Sequence, residues 1–448
     1  MSKSKRALNE GHEQPRRVLG LAALVFFGLV YMVPLTIFTT YGIVTEATGG
    51  RAAPAYVVTL AAMLFTAASY GVMVRRYPVA GSAYAYSTIA FGPNVGFLAG
   101  WSLLLDYLFL PMINYLLIGI PLNLAFPEIP IWVFILGSIV LVTALNIVGI
   151  RCLAKASNAI VAAQMVFIVV FVAMCWHTLS GHPVNYLQPL VGDGSQPGVA
   201  PMMAGAAILC LSFLGFDAVS TLTEEARDAE RTVPRAILLT TLVAGVLFTL
   251  LAYLSQLVFP ATNFADTDAA INDIMYAAGG QLLVNLFNAA YVAGNIGAAL
   301  ASQAAVSRII HSMARDNVLP HRYLGGLSRY GTPTNATLLV SAVSLLAAFI
   351  TLETLASLIS FGALVAFSAV NLAVIRTQLF DKHRPKRYIL HGLVPFVGMC
   401  LTLWLWTSLS ALTLTIGLSW FAIGLIYLIV LTGGFRRTVQ MKNLSEAV

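Results

Sequence analysis

Two aspartates, Asp106 and Asp217, interrupt long apolar runs that are otherwise free of charge. A carboxylate inside hydrocarbon costs about 2.5 to 3.5 kcal/mol even on lenient scales, so each of the two needs a counter-charge, a proton or a hydrogen-bonded pocket. No Lys, Arg or His lies well inside an apolar run, which leaves a cationic solute or a proton as the missing partner. Asp217 falls in Ile208 to Pro234, ILCLSFLGFDAVSTLTEEARDAERTVP, a stretch that begins as an apolar helix, passes through Gly215 and ends among charges. Gly215 beside a carboxylate predicts a locally opened helix, and such a break at membrane depth is tolerated only where it lines a cavity or is buried in protein. Asp217 could pair with an ammonium group, carry a coupling proton or act in a gate; the structural alternative is a carboxyl capped by hydroxyls such as Ser220 and Thr221. Asp106 shares these roles, or else ties helices together through Tyr107 or Asn114.

The helices that must hold these groups are themselves unusual. The first apolar segment contains Tyr31-Met-Val-Pro-Leu-Thr-Ile-Phe-Thr-Thr-Tyr-Gly42, where a plain lipid-facing helix would carry leucines. Pro34 removes a backbone donor and frees a carbonyl one turn earlier. The hydroxyls of Thr36, Thr39 and Thr40 are candidates to hydrogen-bond a ligand, the alternative being that they satisfy their own freed backbone. Phe38 completes the candidate surface of this turn, and Phe213, Phe216 and Phe361 are candidates to stack on a cation or close over it, packing being the alternative. Glu224, Glu225 and Arg231 read as a solvated ion network, and Asn295, Ser302 and Gln303 as either a small cation site or helix packing.

The 448 residues are 59% hydrophobic and 10% charged, with a net charge of +7. That composition defines a polytopic membrane protein, because a soluble chain averages about 25% charged. Runs of about 20 apolar residues predict twelve spans, near 18–44, 53–74, 96–125, 130–150, 157–180, 199–222, 234–259, 282–306, 334–352, 354–375, 389–411 and 413–433. With both termini on the cytoplasmic side, every one of the 25 basic residues except Arg51 falls on that side, as the positive-inside rule requires. The 1–17 segment has no signal-peptide pattern and reads as a cytoplasmic tail, as does 434–448. The basic residues are orientation signals rather than a nucleic-acid face. The four cysteines are scattered, with no CxxC, so neither a metal site nor a disulfide framework is expected. Without HExxH, P-loop or GxSxG motifs, a membrane enzyme is not indicated and no cofactor is expected. Interrupted first and sixth spans in matching positions point to inverted repeats around a midplane site.

Three signatures carry a family resemblance: RYPVAGSAYAY in the second connection, SFLGFDAVSTLTEEARDAERTVPRAI around Asp217, and SRIIHSMARDNVLP after the eighth span. From about Arg17 to Arg437 the chain resembles the amino acid, polyamine and organocation permeases. GWSLLLDYLFLPMIN, CLSFLGFDAVSTLTEE and LISFGALVAFSAVNL are similar to segments of the bacterial putrescine importers. The resemblance implies an all-α polytopic fold of twelve transmembrane helices, a 5+5 inverted repeat (about 18–180 and 199–375) plus two further helices (389–433). It implies a bacterial inner-membrane importer of a small amine, putrescine or a polyamine, with a coupling proton. Substrate would lie on Pro34, Thr36, Phe38, Thr39, Asp106, Phe213, Gly215, Phe216, Asp217 and Phe361, with Asp217 and Asp106 in coupling or gating. Two positions depart from the pattern. The Gly-Ser-Gly run that holds a carboxylate in many amino-acid permeases is replaced by Pro34-Leu35-Thr36. The aspartate that putrescine importers carry in this turn is replaced by Thr39, which leaves room for a monoamine or another small aminated compound. An amino-acid permease or exchanger remains the alternative, and a non-transporting sensor a further one.

Overall fold

The computed structural model describes residues 19–79, 82–148, 153–181, 183–268, 270–315, 319–328, 332–380, 387–434 and 436. In chain order the α-helices are α1 (Leu21–Tyr31), α2 (Tyr41–Thr48), α3 (Ala52–Arg76), α4 (Ser82–Phe91), α5 (Pro93–Ala125), α6 (Ile131–Val148), α7 (Leu153–Leu179) and the short α8 (Gln188–Val191). They continue with α9 (Ala200–Leu209), α10 (Ala229–Val258), α11 (Ala270–Arg315), the short α12 (His321–Leu324), α13 (Thr334–Ser344), α14 (Leu352–Val374), α15 (Val394–Thr407) and α16 (Ala411–Thr432). The described residues contain no strand, only an isolated bridge between Leu19 and Ala226. A helix satisfies its own backbone donors and acceptors, which is the condition for crossing hydrocarbon.

Among the described residues, eleven helical stretches are long and apolar enough to cross a membrane, and ten of the expected spans lie on them with ends shifted by a few residues. The two departures have local causes. The span expected at 334–352 is the shorter apolar helix Thr334–Ala348, because its last turn tightens to 3-10 geometry at Leu345–Ala348. The span expected at 282–306 is the middle of α11, whose first turns, from Ala270, are set off by non-helical Gly279 and Gly280.

The first and sixth spans are both broken in the middle. α1 ends at Tyr31, a 3-10 turn runs over Pro34–Phe38, and α2 resumes at Tyr41. α9 ends at Leu209, followed by 3-10 turns at Cys210–Phe213 and Ala218–Glu225 on either side of Gly215. Helices α3 and α10 pack antiparallel beside them, approaching closely at Gly71, where a Cβ would lie 3.2 Å from Pro234 Cβ. Leu19 joins the start of the first span to the end of the sixth. Its N–H donates to Glu225 O at 3.0 Å and its carbonyl accepts from Arg227 N at 2.8 Å.

At the far end of the bundle from Arg75 and Arg76, Arg51 fastens the second half of the first span. Its Nε donates to Thr48 O at 2.9 Å, Nη1 to Gly198 O at 3.0 Å and Nη2 to Gln196 O. Asp193 N–H donates to Gly49 O at 3.0 Å, and Tyr41 donates to Gln256 Oε1 at 2.8 Å. The C-terminal helix docks through a reciprocal pair: Trp101 and Trp420 stack 5.0 Å apart, and each indole N–H donates to the other's backbone carbonyl.

Candidate functional site

In the first break, Val33 has φ 49° and ψ 96°, an uncommon conformation for a β-branched residue. The following Pro34 accounts for the break here, since the residue before a proline is pushed out of the α region. Met32 O is then left without a backbone donor, and Thr36 Oγ1 donates to it at 2.9 Å and to Val33 O at 2.6 Å, the latter also accepting from Thr36 N at 2.8 Å. Thr36 therefore serves its own backbone, while Thr39 Oγ1 and the Tyr291 hydroxyl share a hydrogen bond of 2.9 Å. Thr40 Oγ1 is buried without a partner. Pro34 is buried at the start of the turn, and Phe38 is wedged edge-on between Phe171 and Phe287.

The second break faces the first. Leu214 is extended at ψ 126° and Gly215 has φ 126°, open to glycine and rare for other residues. A Cβ at Gly215 would lie 2.8 Å from Tyr31 Cδ1 and 3.2 Å from Met32 N. The two interrupted helices thus meet backbone to backbone at their breaks. Asp217 follows at once. Its Oδ1 accepts from Gly215 N at 3.3 Å, its Oδ2 from Ser82 Oγ at 3.2 Å, and Ser82 in turn lies 3.4 Å from the Tyr70 hydroxyl. Ser220 and Thr221 do not cap the carboxyl group: their hydroxyls donate to the backbone carbonyls of Asp217 and Ala218, both at 2.6 Å.

Asp106 projects from α5 toward α14, where Gly362 leaves the space: a Cβ there would fall 3.2 Å from Asp106 Cβ and 2.8 Å from Ser102 O. Asp106 and Asp217 are 7% and 8% exposed. The Tyr70 hydroxyl reaches Asp217 through Ser82, and the Tyr31 ring lies against Gly215. Asn114 is not tied to Asp106; its amide donates to Leu110 O at 2.7 Å. Among the described residues no Lys, Arg or His pairs with either carboxylate. The arrangement is a pair of acids walled by phenols at the joint of two broken helices, suited to an ammonium group or a proton.

A cavity of about 340 Å³ adjoins this joint. It runs from Thr39 and Tyr291 past Tyr31 and Thr36 toward Phe27 and Ser302, that is, toward the end of the bundle with the arginines. Tyr31 is the wall shared between cavity and carboxylates. Neither Asp106 nor Asp217 lines the cavity itself.

The aromatic candidates divide. Phe216 lies next to Asp217, 5.7 Å from Tyr70 and 5.0 Å from Phe367 between ring centroids. Phe213 packs outward from the joint on Tyr56 and Phe248. Phe361 is turned from the site altogether, 5.3 Å from Trp406 and against Gly417, because the helical turn that aims Gly362 at Asp106 points its neighbour elsewhere. Asn295 and Ser302 line the cavity, with their side chains donating to Tyr291 O and Ala298 O. Gln303 instead ties α11 to α6 and α13, donating to Thr143 and Ser341 and accepting from Asn146. The ion network expected at Glu224, Glu225 and Arg231 falls partly outside the described side chains, since Glu224 is not among them. Glu225 and Arg231 are both exposed and form no ion pair with each other. Tyr70, Gln164 and Tyr291 carry no signal in the sequence, whereas Ser82 lies in the RYPVAGSAYAY turn and Tyr31 opens the interrupted stretch of the first span.

Two broken helices meeting over buried acids, inside a bundle of membrane-crossing helices, define a solute carrier rather than an enzyme. The chain belongs to the amino acid permease family, whose model matches residues 23–444. It is 41% identical over 443 residues to the low-affinity putrescine importer PlaP of Escherichia coli, covering 96% of this chain and 97% of that protein. It is 25% identical to the branched-chain amino acid permease BcaP of Bacillus subtilis over 94% of both chains. Over 84% of this chain and 65% of the relative it is 27% identical to cationic amino acid transporter 3, mitochondrial, of Arabidopsis thaliana.

Proposed function

We propose that this permease is a proton-coupled importer of a small amine, putrescine or a related polyamine, in a bacterial inner membrane. The observation that carries this reading is the pair of buried carboxylates, Asp106 and Asp217, with no described cationic partner at the joint of the broken helices. An ammonium group supplies the missing charge when substrate is bound, and a proton supplies it on the return. The Tyr31, Tyr70 and Phe216 rings give the ammonium an aromatic wall. The similarity to PlaP supports an amine over an α-amino acid. Two five-helix repeats of opposite orientation, with α15 and α16 outside them, give the two breaks their matching positions. The basic end of the bundle faces the cytoplasm. The cavity then opens inward while Arg51 and Asp193 hold the outer half shut, an inward-facing state of an alternating-access cycle.

In liposomes, labelled putrescine enters saturably and faster under an inward proton gradient. Asp217→Asn lowers uptake kcat/KM by about a hundredfold or more, the equivalent of at least about 3 kcal/mol for leaving one charge of a buried pair without its partner. Full uptake with unchanged pH dependence in that variant would sink the assignment. A second reading, an amino-acid permease or exchanger, is favoured by the cavity wall, where Asn114, Gln164 and Asn295 are neutral and no carboxylate is present. Competition by α-amino acids but not by their decarboxylated amines selects it.

A further inference from the structure

A second pocket, of about 350 Å³, lies away from the substrate joint, at the basic end of the α3 and α10 pair. Its lining is Arg75, Glu230, Arg231 and Arg235. The pairing of the two helices builds it. Gly71 lets α3 approach Pro234 closely, and one turn further along α3, Arg75 comes opposite the first turns of α10. Arg231 and Arg235, four residues apart, share one face of α10 and point the same way. All four lining residues are exposed, and among the described residues none of the three guanidinium groups has an ion pair or a side-chain hydrogen bond. Even Glu230, in the same pocket, is unpaired, which leaves the pocket net positive. Arg76 is separate, its guanidinium carbon 5.3 Å from the Tyr77 ring centre.

Three planar guanidinium groups with free donors around one concavity match the oxygens of a phosphate better than a carboxylate or chloride would. What continues the pocket decides between phosphate sources. Beyond Arg235 the same face of α10 carries Leu239, Leu242 and Val246, exposed at 40%, 44% and 55%. A basic head at one end of an apolar, outward-facing stripe has the polarity of a phospholipid standing in a leaflet, and basic pockets between helices at a membrane surface hold such headgroups. A soluble phosphate compound would leave that stripe unused.

We propose that the pocket of Arg75, Arg231 and Arg235 binds the phosphate of an anionic glycerophospholipid, whose acyl chains lie along Leu239, Leu242 and Val246 of α10. The lipid bridges α3 to the start of α10, directly after the 3-10 turn that follows Asp217, and Glu230 weakens its binding.

Native mass spectrometry of the full chain in detergent, titrated with phosphatidylglycerol or with phosphatidylcholine of the same acyl chains, tests the site. Phosphatidylglycerol is expected to bind more tightly. Arg75→Gln and Arg235→Gln should each weaken it about fivefold, the fold-change of about 1 kcal/mol per basic residue near a membrane surface. Arg322→Gln, at an exposed arginine outside the pocket, should leave binding unchanged. Glu230→Gln should tighten binding severalfold, a gain that misfolding cannot produce. Equal affinity for the two lipids, or a preference that survives Arg75→Gln with Arg235→Gln, overturns the proposal. Displacement of phosphatidylglycerol by inorganic phosphate at equal concentration overturns the lipid assignment in favour of a soluble anion.

Discussion

Replacing Gly215 by alanine tests whether the meeting of the two breaks holds the site together. Two costs arise from the geometry. The residue must keep φ at 126°, which is worth about 1 to 3 kcal/mol for a side chain that rarely adopts it. The new Cβ must also fit 2.8 Å from Tyr31 Cδ1 and 3.2 Å from Met32 N, and the second of these is backbone that cannot swing aside. Overpacking of this kind costs about 1 to 3 kcal/mol, so Gly215→Ala should destabilise the folded bundle by about 2 to 6 kcal/mol. Thermal unfolding in detergent, followed by intrinsic fluorescence, reads the loss, and uptake into liposomes reads its effect on the site. A double-mutant cycle with Tyr31→Ala separates the terms: in that background the contact with the ring is gone and the backbone strain remains, so Gly215→Ala should cost less than it does in the parent. A melting temperature within experimental error of the parent, with full uptake, would show that the two breaks are not packed as described.

Two further outcomes follow from groups away from the joint. Burial, reinforced by the charges of Asp266 and then Glu353, pushes the Asp268 carboxyl up to about 6 from its ordinary value near 3.8. A group whose pKa is raised on folding contributes stability below its unfolded value and loses it as pH rises through the folded one; the melting temperature of Asp268→Asn should therefore gain on the parent between pH 4 and pH 7, and parallel curves would refute the shift. Trp420→Ala removes a stacked indole and the hydrogen bond it donates to Trp101 O, while the bond from Trp101 Nε1 to the main-chain carbonyl of residue 420 survives, so a loss of about 3 to 5 kcal/mol is expected in thermal unfolding, and an unchanged melting temperature would mean that α16 docks by other contacts.

The helices were legible because hydropathy and helix length answer to the same membrane thickness. The breaks were legible too, through Pro34 and Gly215, although the strained residue of the first is Val33, one step before the proline. Asp106 and Asp217 stood out because an unpaired charge in an apolar run is costly wherever the run folds. What surrounds them was not readable. Ser82 reaches Asp217 from a turn 135 positions away in the chain, and Tyr31 and Tyr70 are ordinary members of helices until packing turns them toward the joint. Phe361 and Gly362 show the limit most plainly. Both lie in LISFGALVAFSAVNL, and only the rotation of α14 against α5 decides that the glycine, not the ring, faces the acid.

Arg51 interacts across the connection between α8 and α9 only through main-chain oxygens, those of Gln196 and Gly198. Every residue carries such an oxygen, so at Gln196 the side chain can drift without loosening the hold. Length is another matter, since one residue added or removed would move the acceptors out of register. Lysine would not substitute for the arginine, because a single ammonium cannot present donors to Thr48, Gln196 and Gly198 from one plane. This end of the bundle is thus tolerant of substitution in its loop and intolerant of insertion, a pattern opposite to that expected of most surface connections.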